Sequence, residues 1–331
     1  MATNRVGEKS VKKGANQGAK KVSGGDGLPE VGAMARELEV RYGGLAACTT
    51  PASWLDLGAI AASGQAFRWV ACTEGWWAVP AAGGAALLRC VSRVPDTLGT
   101  VADSLEMRIT PQHDLAWWRR YLALSDDYGL VLAELGDLRC PAVDAAMAFS
   151  QGVRVLHQNP FEAFATSIVT QNNNIPRITA CVERLCGGSL EPWPGPEELL
   201  ARLEEPGACG SLGLGYRLPY LRDLCRRWLD GEYADMVALS AHRTPFDRDE
   251  LATCERDVAL LMRCEGVGPK VARCCALFGL AHASAVPVDV WIKRVERDKD
   301  VAWLPQIAGI EQQFVFAWAR AGYPEPGQMR A

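Results

Sequence analysis

Leu260-Leu-Met-Arg-Cys-Glu-Gly266-Val-Gly268-Pro-Lys270-Val-Ala-Arg-Cys274-Cys-Ala-Leu-Phe278 reads as a helix, a tight glycine turn and a second helix. Gly266 and Gly268 tolerate positive φ and close backbone approach, and Val267 between them can plug the turn into a core. Pro269 opens the second helix at its first position, where its missing N–H is harmless. The free N–H groups of such a turn, backed by a helix N-terminus, suit a phosphate and ignore base identity. Gly266, Val267 and Gly268 are therefore the candidate DNA-phosphate hairpin, although a glycine turn between helices is also common as plain connection.

Lys270 falls in the first turn of the second helix, where the positive end of the macrodipole disfavours an ammonium relative to a nucleophilic amine. Cys274 and Phe278 follow at four and eight residues, so all three share a helix face that can form a pocket wall. Downstream, Ala285-Val-Pro-Val-Asp289-Val-Trp291 sets a carboxylate after a proline-stiffened apolar segment and directly before another helix. Asp289 at that place is a natural N-cap, and capping is compatible with stabilising positive charge on a reacting sugar.

Outward from this stretch, nearly everything beyond Val153 has helical spacing: Pro160 to Gln171, Pro176 to Leu185, Pro196 to Leu203, Arg217 to Trp228, Arg248 to Met262, Pro269 to Leu280 and Val290 to Arg297. Toward the N-terminus the pattern changes to short strands at Ala66 to Thr73, Trp76 to Val79, Ala86 to Val91 and Glu106 to Ile109, separated by Glu74-Gly75 and Gly83-Gly84 turns. The expected fold class is α+β. A disordered basic tail covers 1–37, a small antiparallel sheet with helices covers 38–150, and a helical domain covers 151–331.

Composition bounds the rest. The chain has 331 residues, 49% hydrophobic and 22% charged, which is ordinary for a folded protein, with eleven tryptophans as the unusual feature. No apolar run nears the roughly 20 residues that span a bilayer, so no membrane partner is expected, and the Met1 segment lacks the apolar stretch of a secretion signal. Twelve cysteines without a CxxC pair read as reduced, mostly buried thiols, and no cysteine follows Cys275 to build a C-terminal iron–sulfur cluster. No metal or cofactor is expected. In the first 28 residues Arg5, Lys9, Lys12, Lys13, Lys20 and Lys21 oppose only Glu8 and Asp26; with a total of −4, the tail carries +4 and the remainder −8. Such a tail suits phosphate attraction or nuclear targeting, or is simply a solvated extension, and a DNA site on the body has to be a local basic patch.

Taken together, these motifs resemble the helix-hairpin-helix DNA glycosylases, and specifically 8-oxoguanine DNA glycosylase/AP lyase of the eukaryotic type. The likeness runs from about Leu55 to Lys293. It rests on Ser63-Gly-Gln-Ala-Phe-Arg-Trp69, Gln151-Gly-Val-Arg-Val-Leu156, Asn172-Asn-Asn-Ile-Pro-Arg177 with Val182-Glu-Arg-Leu-Cys186, Leu212-Gly-Leu-Gly-Tyr-Arg217, Gly266-Val-Gly-Pro-Lys270 and Val286-Pro-Val-Asp289.

The resemblance implies a protein that acts on damaged double-stranded DNA, expected as a monomer; the basic tail favours the nucleus, with a possible mitochondrial pool. Lys270 matches the nucleophile that attacks C1′ and leaves a Schiff base, and Asp289 matches the essential aspartate. Gly64 falls where a backbone carbonyl accepts the N7–H that 8-oxoguanine has and guanine lacks, and Cys274 and Phe278 resemble pocket lining. Asn172, Arg177 and Arg217 resemble the residues that hold the orphaned cytosine, and Tyr216 resembles the wedge that keeps the stack open. Two departures stand out. Trp291 occupies the place of a phosphate-contacting histidine. Gln328 is the position left for a glutamine that the family's C-terminal helix brings to the flipped base, and the aromatic that follows it in the family would fall beyond Ala331. Another damaged purine as substrate, and a non-catalytic damage-binding protein, are the alternative readings.

Overall fold

In the computed structural model, which describes residues 27–91 and 103–324, the chain begins with α1 (Val31–Tyr42), β1 (Ala46–Pro51), α2 (Leu57–Ala62), β2 (Val70–Ala71), β3 (Trp77–Ala81), β4 (Gly84–Val91) and β5 (Ser104–Ile109). The helices then follow one another: α3 (Leu115–Tyr121), α4 (Tyr128–Asp137), α5 (Pro141–Phe149), α6 (Pro160–Val169), α7 (Ile175–Cys186), α8 (Pro196–Glu204), α9 (Ala208–Ser211) and α10 (Leu218–Leu229). The last five are α11 (Ala234–Ser240), α12 (Glu250–Leu261), α13 (Pro269–Gly279), α14 (Val290–Asp298) and α15 (Ala308–Arg320). The α+β class expected from the sequence is what the chain adopts.

The five strands form one antiparallel sheet in the order β1-β5-β4-β3-β2. Its central strand explains the unbroken apolar run Ala85-Ala-Leu-Leu88, because both faces of the sheet are covered. Ala85 and Leu87 face α1, whose Met34, Ala35 and Leu38 pack on them, whereas Ala86 and Leu88 face Leu55, Ile60, Trp118 and Leu122. Period-two alternation on two buried faces reads as continuous hydrophobicity. A one-residue slip would exchange the two sets, so the register is strongly fixed.

The structure corrects several expectations. Residues 31–37 belong to α1 rather than to a disordered tail, and the remainder of that tail lies outside the described residues except for 27–30. The strand expected over Ala66 to Thr73 is reduced to Val70–Ala71, while β1 supplies an edge the sequence reading did not assign. The boundary at residue 150 also cuts through a packed unit: Tyr128, Val131, Leu135 and Val143 of α4 and α5 share one core with α6, α7, α10, α13 and α15. No disulfide joins the twelve cysteines, and Cys209 is the exposed one. No helix of the described residues is long and apolar enough to cross a membrane.

α15 docks against the segment before α14 at a single glycine. The Gly309 N–H donates to the Ala283 carbonyl at 2.8 Å, and a Cβ on Gly309 would run into the Ala285 and Ala283 carbonyls and Leu277. Two of those three obstacles are backbone, which cannot swing aside. Gly309→Ala is therefore expected to lower unfolding free energy by about 2–3 kcal/mol, read as a reduced urea midpoint at unchanged slope.

Candidate active site

Residues 153–158 join the sheet layer to the helical layer, and their polar contacts position the loop that holds Gly64. The buried Gln65 amide donates to the Arg154 carbonyl at 2.8 Å and to Ser63 Oγ at 2.9 Å, and its Oε1 accepts from the Leu156 N–H at 2.8 Å. Gln158 Nε2 donates to the Gln65 carbonyl at 2.9 Å, and the Gln158 N–H donates to the Phe278 carbonyl at the end of α13 at 2.8 Å. A fixed polar path thus runs from Gly64 to the helix that carries Lys270. Gly64 itself has φ +84°, a left-handed conformation that favours glycine.

The hairpin is built as its sequence suggests. Gly266 has φ +70°, and any Cβ there would overlap the ring of Tyr220, so both the turn and the packing exclude a side chain. Val267 is buried, and Gly268 precedes α13 without a capping side chain. Asp223 fastens the turn by accepting the Glu265 N–H at 2.8 Å. Burial pushes the Asp223 carboxyl up, but that hydrogen bond and Arg227 hold it below its ordinary range. In the first turn of α13, Lys270 is half-buried and its Nζ lies 3.5 Å from Thr170 Oγ1, at the end of α6. The Thr170 hydroxyl donates to Ser167 O, so its oxygen lone pair is what Lys270 meets.

Asp289 caps α14, accepting from the Trp291 N–H at 2.8 Å and the Ile292 N–H at 3.0 Å. Both bonds go to Oδ1. Among the described residues no ion pair joins Asp289 to Lys270; the cation that senses Asp289 is Arg320, near the end of α15. Burial lowers the Arg320 guanidinium while Asp289 raises it, and burial prevails.

Arg320 also reaches Gly64. Its Nη1 donates to the Ala62 carbonyl at 3.4 Å, and a Cβ built on Gly64 would lie 3.5 Å from Arg320 Nη1 and 3.5 Å from Phe316 Cε1. The Arg320 guanidinium carbon sits over the Phe316 ring, 5.3 Å from its centroid. The sequence reading missed this helix. Ile310, Phe314, Val315, Trp318 and Ala319 have helical spacing that signals its buried face, and Gln312 precedes Phe316 by one turn. Gln328 lies outside the described residues, whereas Gln312 and Phe316 give α15 the glutamine-then-aromatic order that the resemblance implies.

The residues expected at the orphaned base only partly converge. Asn172, at φ +42°, donates from Nδ2 to Tyr216 Oη at 3.3 Å, and Tyr216 is 47% exposed beside it. Arg217 is buried, its guanidinium spent on the Gln171, Asn172 and Leu214 carbonyls and lying 4.5 Å from the Tyr216 ring. Its donors hold the Asn loop, which departs from a direct reading of cytosine. Arg177 is exposed in the first turn of α7. Asn173 closes α6 and Asn174 caps α7, so the Asn run divides between connection and surface. Gln171 Nε2 donates to the Gly266 carbonyl at 3.3 Å, which ties this group to the hairpin. Cys274 is buried and Phe278 half-buried on the Lys270 helix.

Residues 48–164 match the family model described as 8-oxoguanine DNA glycosylase, N-terminal domain. The N-glycosylase/DNA lyase of Saccharomyces cerevisiae is 34% identical over 165 residues, which is 46% of this chain and 43% of the yeast protein, so the match spans less than half the length of that relative. A structure of MBOgg1 with a low-affinity DNA ligand superposes with TM-score 0.66 at 25% identity, covering 83% of this chain and 96% of that one. The Clostridium acetobutylicum 8-oxoguanine glycosylase/lyase, in complex with duplex DNA containing cytosine opposite 8-oxoguanine, superposes with TM-score 0.67 at 24% identity over 84% and 98% of the two chains. The resemblance read from the motifs is thus matched in sequence and in fold.

A buried charge network holds the segment that delivers Asp289. His282 Nδ1 lies 3.1 Å from Glu250 Oε2 and its Nε2 3.0 Å from Asp257 Oδ2; Arg243 donates to Asp257 at 2.5 Å, and the Ser284 N–H and hydroxyl donate to Glu250 Oε1. Glu250, Cys254 and His282 also have the donor set for a metal ion, yet the carboxylate and imidazole are already engaged with protein partners. Burial alone would lower the His282 imidazole, but its bonds to Asp257 and Glu250 raise it above the ordinary histidine value. A raised folded-state value means the stabilisation is complete below about pH 6.5 and is lost as pH rises through the folded value. Wild-type unfolding free energy, measured by urea between pH 6 and 9, is expected to fall with pH. His282→Gln is expected to be weaker by about 3 kcal/mol at pH 6 and flatter above it.

Proposed function

We infer that this chain is a bifunctional DNA glycosylase/AP lyase that extrudes 8-oxoguanine, opposite cytosine, and excises it. The observation that carries the reading is that Phe316 and Arg320 stand beside Gly64 and Arg320 senses Asp289, in a chain whose glycine hairpin runs directly into the helical turn that holds Lys270. Phosphate held at Gly266–Gly268 would grip the strand without reading sequence. Beyond Asp289, exposed Lys293 and Arg294, the latter 5.0 Å from the Trp291 ring, put positive charge where the histidine implied by the resemblance is missing.

In this mechanism the neutral Lys270 amine attacks C1′ of the extruded nucleoside, and the bond to the purine breaks with its electron pair leaving on the base. The base takes up a proton. The resulting aminal opens its sugar ring to a Schiff base, and loss of the C2′ proton expels the 3′ phosphate by β-elimination. Asp289 stabilises the positive charge that grows on the sugar as the base departs. Gly64 O would accept N7–H of the oxidised base; guanine would present a lone pair there, leaving the carbonyl repelled. Phe316, half-buried beside Gly64, would offer a stacking face to the base, and Cys274 and Phe278 on the Lys270 helix would line the pocket. Tyr216, which is exposed, would act as the wedge, and Asn172 and Arg177, also at the surface, would meet the widowed cytosine.

Borohydride added during reaction with an 8-oxoguanine duplex is expected to trap a covalent complex with wild type. Lys270→Gln is expected to abolish the trapped band and cut turnover at least about 10³-fold while keeping duplex affinity. Undiminished trapping in that variant, or none in wild type, would favour a non-catalytic damage binder. Asn is as good an N-cap as Asp, so Asp289→Asn separates charge from capping. We expect it to lose about 10²-fold or more in turnover with little change in affinity or melting temperature. A parallel fall in turnover, affinity and melting temperature would instead assign Asp289 to capping alone.

A further inference from the structure

We propose that Arg320 reads the extruded base, donating hydrogen bonds to a carbonyl oxygen that flanks N7 on the oxidised purine. The proposal rests on the glycosylase reading above. Gln312, Phe316 and Arg320 recur every four residues on α15 and form one stripe of that helix. Phe316 and Arg320 both stand 3.5 Å from the position a Gly64 side chain would take, so this end of the stripe lies beside the residue whose carbonyl would hold N7–H.

Arginine at this place is poorly occupied by the protein itself. It is half-buried, its hydrogen bond to the Ala62 carbonyl is long at 3.4 Å, and among the described residues no carboxylate forms an ion pair with it. Arg297, on the neighbouring helix, has such a partner in Asp298. A guanidinium has five donors in a planar fork, and among the described residues this one has the Ala62 carbonyl as its hydrogen-bond acceptor, which leaves donors for acceptors from elsewhere. The Phe316 ring beneath it restricts where the fork can point.

The chemistry of the base supplies those acceptors. In 8-oxoguanine the N7–H lies between the C6 and C8 carbonyls, so a base that donates N7–H to Gly64 O presents a carbonyl oxygen on either side of that bond. The Arg320 fork, adjacent to Gly64, meets one of them. A charge-assisted bond to the C8 oxygen discriminates against guanine, which lacks it, and one to the C6 oxygen adds affinity for any such purine; in both cases a site without a base leaves the half-buried fork unpaired.

An abasic site has a sugar for Lys270 and no base for Arg320, which provides the test. With the full chain, single-turnover cleavage is measured on a duplex carrying 8-oxoguanine and on the same duplex carrying a preformed abasic site. Arg320→Leu is expected to lower 8-oxoguanine excision about 10- to 100-fold further than it lowers abasic-site cleavage. Arg320→Lys keeps the charge near Asp289 but loses the fork, and is expected to leave excision depressed relative to abasic-site cleavage. Equal losses on the two duplexes, no loss on either, or full recovery of excision by Lys would overturn the proposal and assign Arg320 to the Asp289 charge or to packing. A wild-type chain inactive on both duplexes would instead remove the glycosylase reading, an outcome distinct from any of these.

Discussion

A buried amide has to find all its hydrogen-bond partners inside the protein, and in this chain that requirement falls on Gln65. Its side chain binds the backbone of Arg154 and Leu156, and its own carbonyl is held by Gln158. Leaving any one of these groups unpaired would cost roughly 1–3 kcal/mol, so the Gly64 loop has little freedom relative to the 153–158 segment. Arg154 completes the junction by donating to the Ser53, Trp54 and Ala123 carbonyls and lying over Tyr128. Two layers with separate apolar cores are joined by polar bonds, and Gly64 lies at the join.

The same economy of polar groups governs the residues proposed to carry the reaction. Asp289 spends one carboxylate oxygen on two N–H groups of α14, which fixes where its other oxygen can act. Asp223 does the equivalent for the hairpin, and the Glu250–His282–Asp257–Arg243 network anchors the chain seven residues before Asp289. Buried ions of opposite sign that satisfy one another add little net stability but fix geometry, since any displaced partner leaves an uncompensated charge. Precise placement of a nucleophile and a carboxylate is what a mechanism based on transition-state electrostatics demands.

Arg217 and Arg320 show how burial redirects similar side chains. Arg217 has its guanidinium consumed by backbone carbonyls and works as a brace for the Asn172 loop. Arg320, among the described residues, has one long hydrogen bond, to the Ala62 carbonyl beside Gly64, and is the side chain proposed to meet a ligand. Neither role follows from residue type, because both depend on how many acceptors the surrounding backbone turns toward the fork.

Local sequence determined much of this protein. Glycine spacing and Pro269 specified the hairpin, proline and Asp positions marked the starts of α6, α13 and α14, and apolar runs identified β3 and β4. These signals are legible because turn conformation, helix capping and face periodicity depend on residues within a few positions of one another. Tertiary structure alone decided that α4 and α5 join the helical core, that Arg217 is a brace, and that Phe316 and Arg320 meet Gly64 from the far end of the chain. The Arg320–Ala62 contact spans 258 positions. No local propensity encodes such a meeting; it exists because the Gln65 junction and the Gly309 contact hold their elements in place, and only the folded chain satisfies both together.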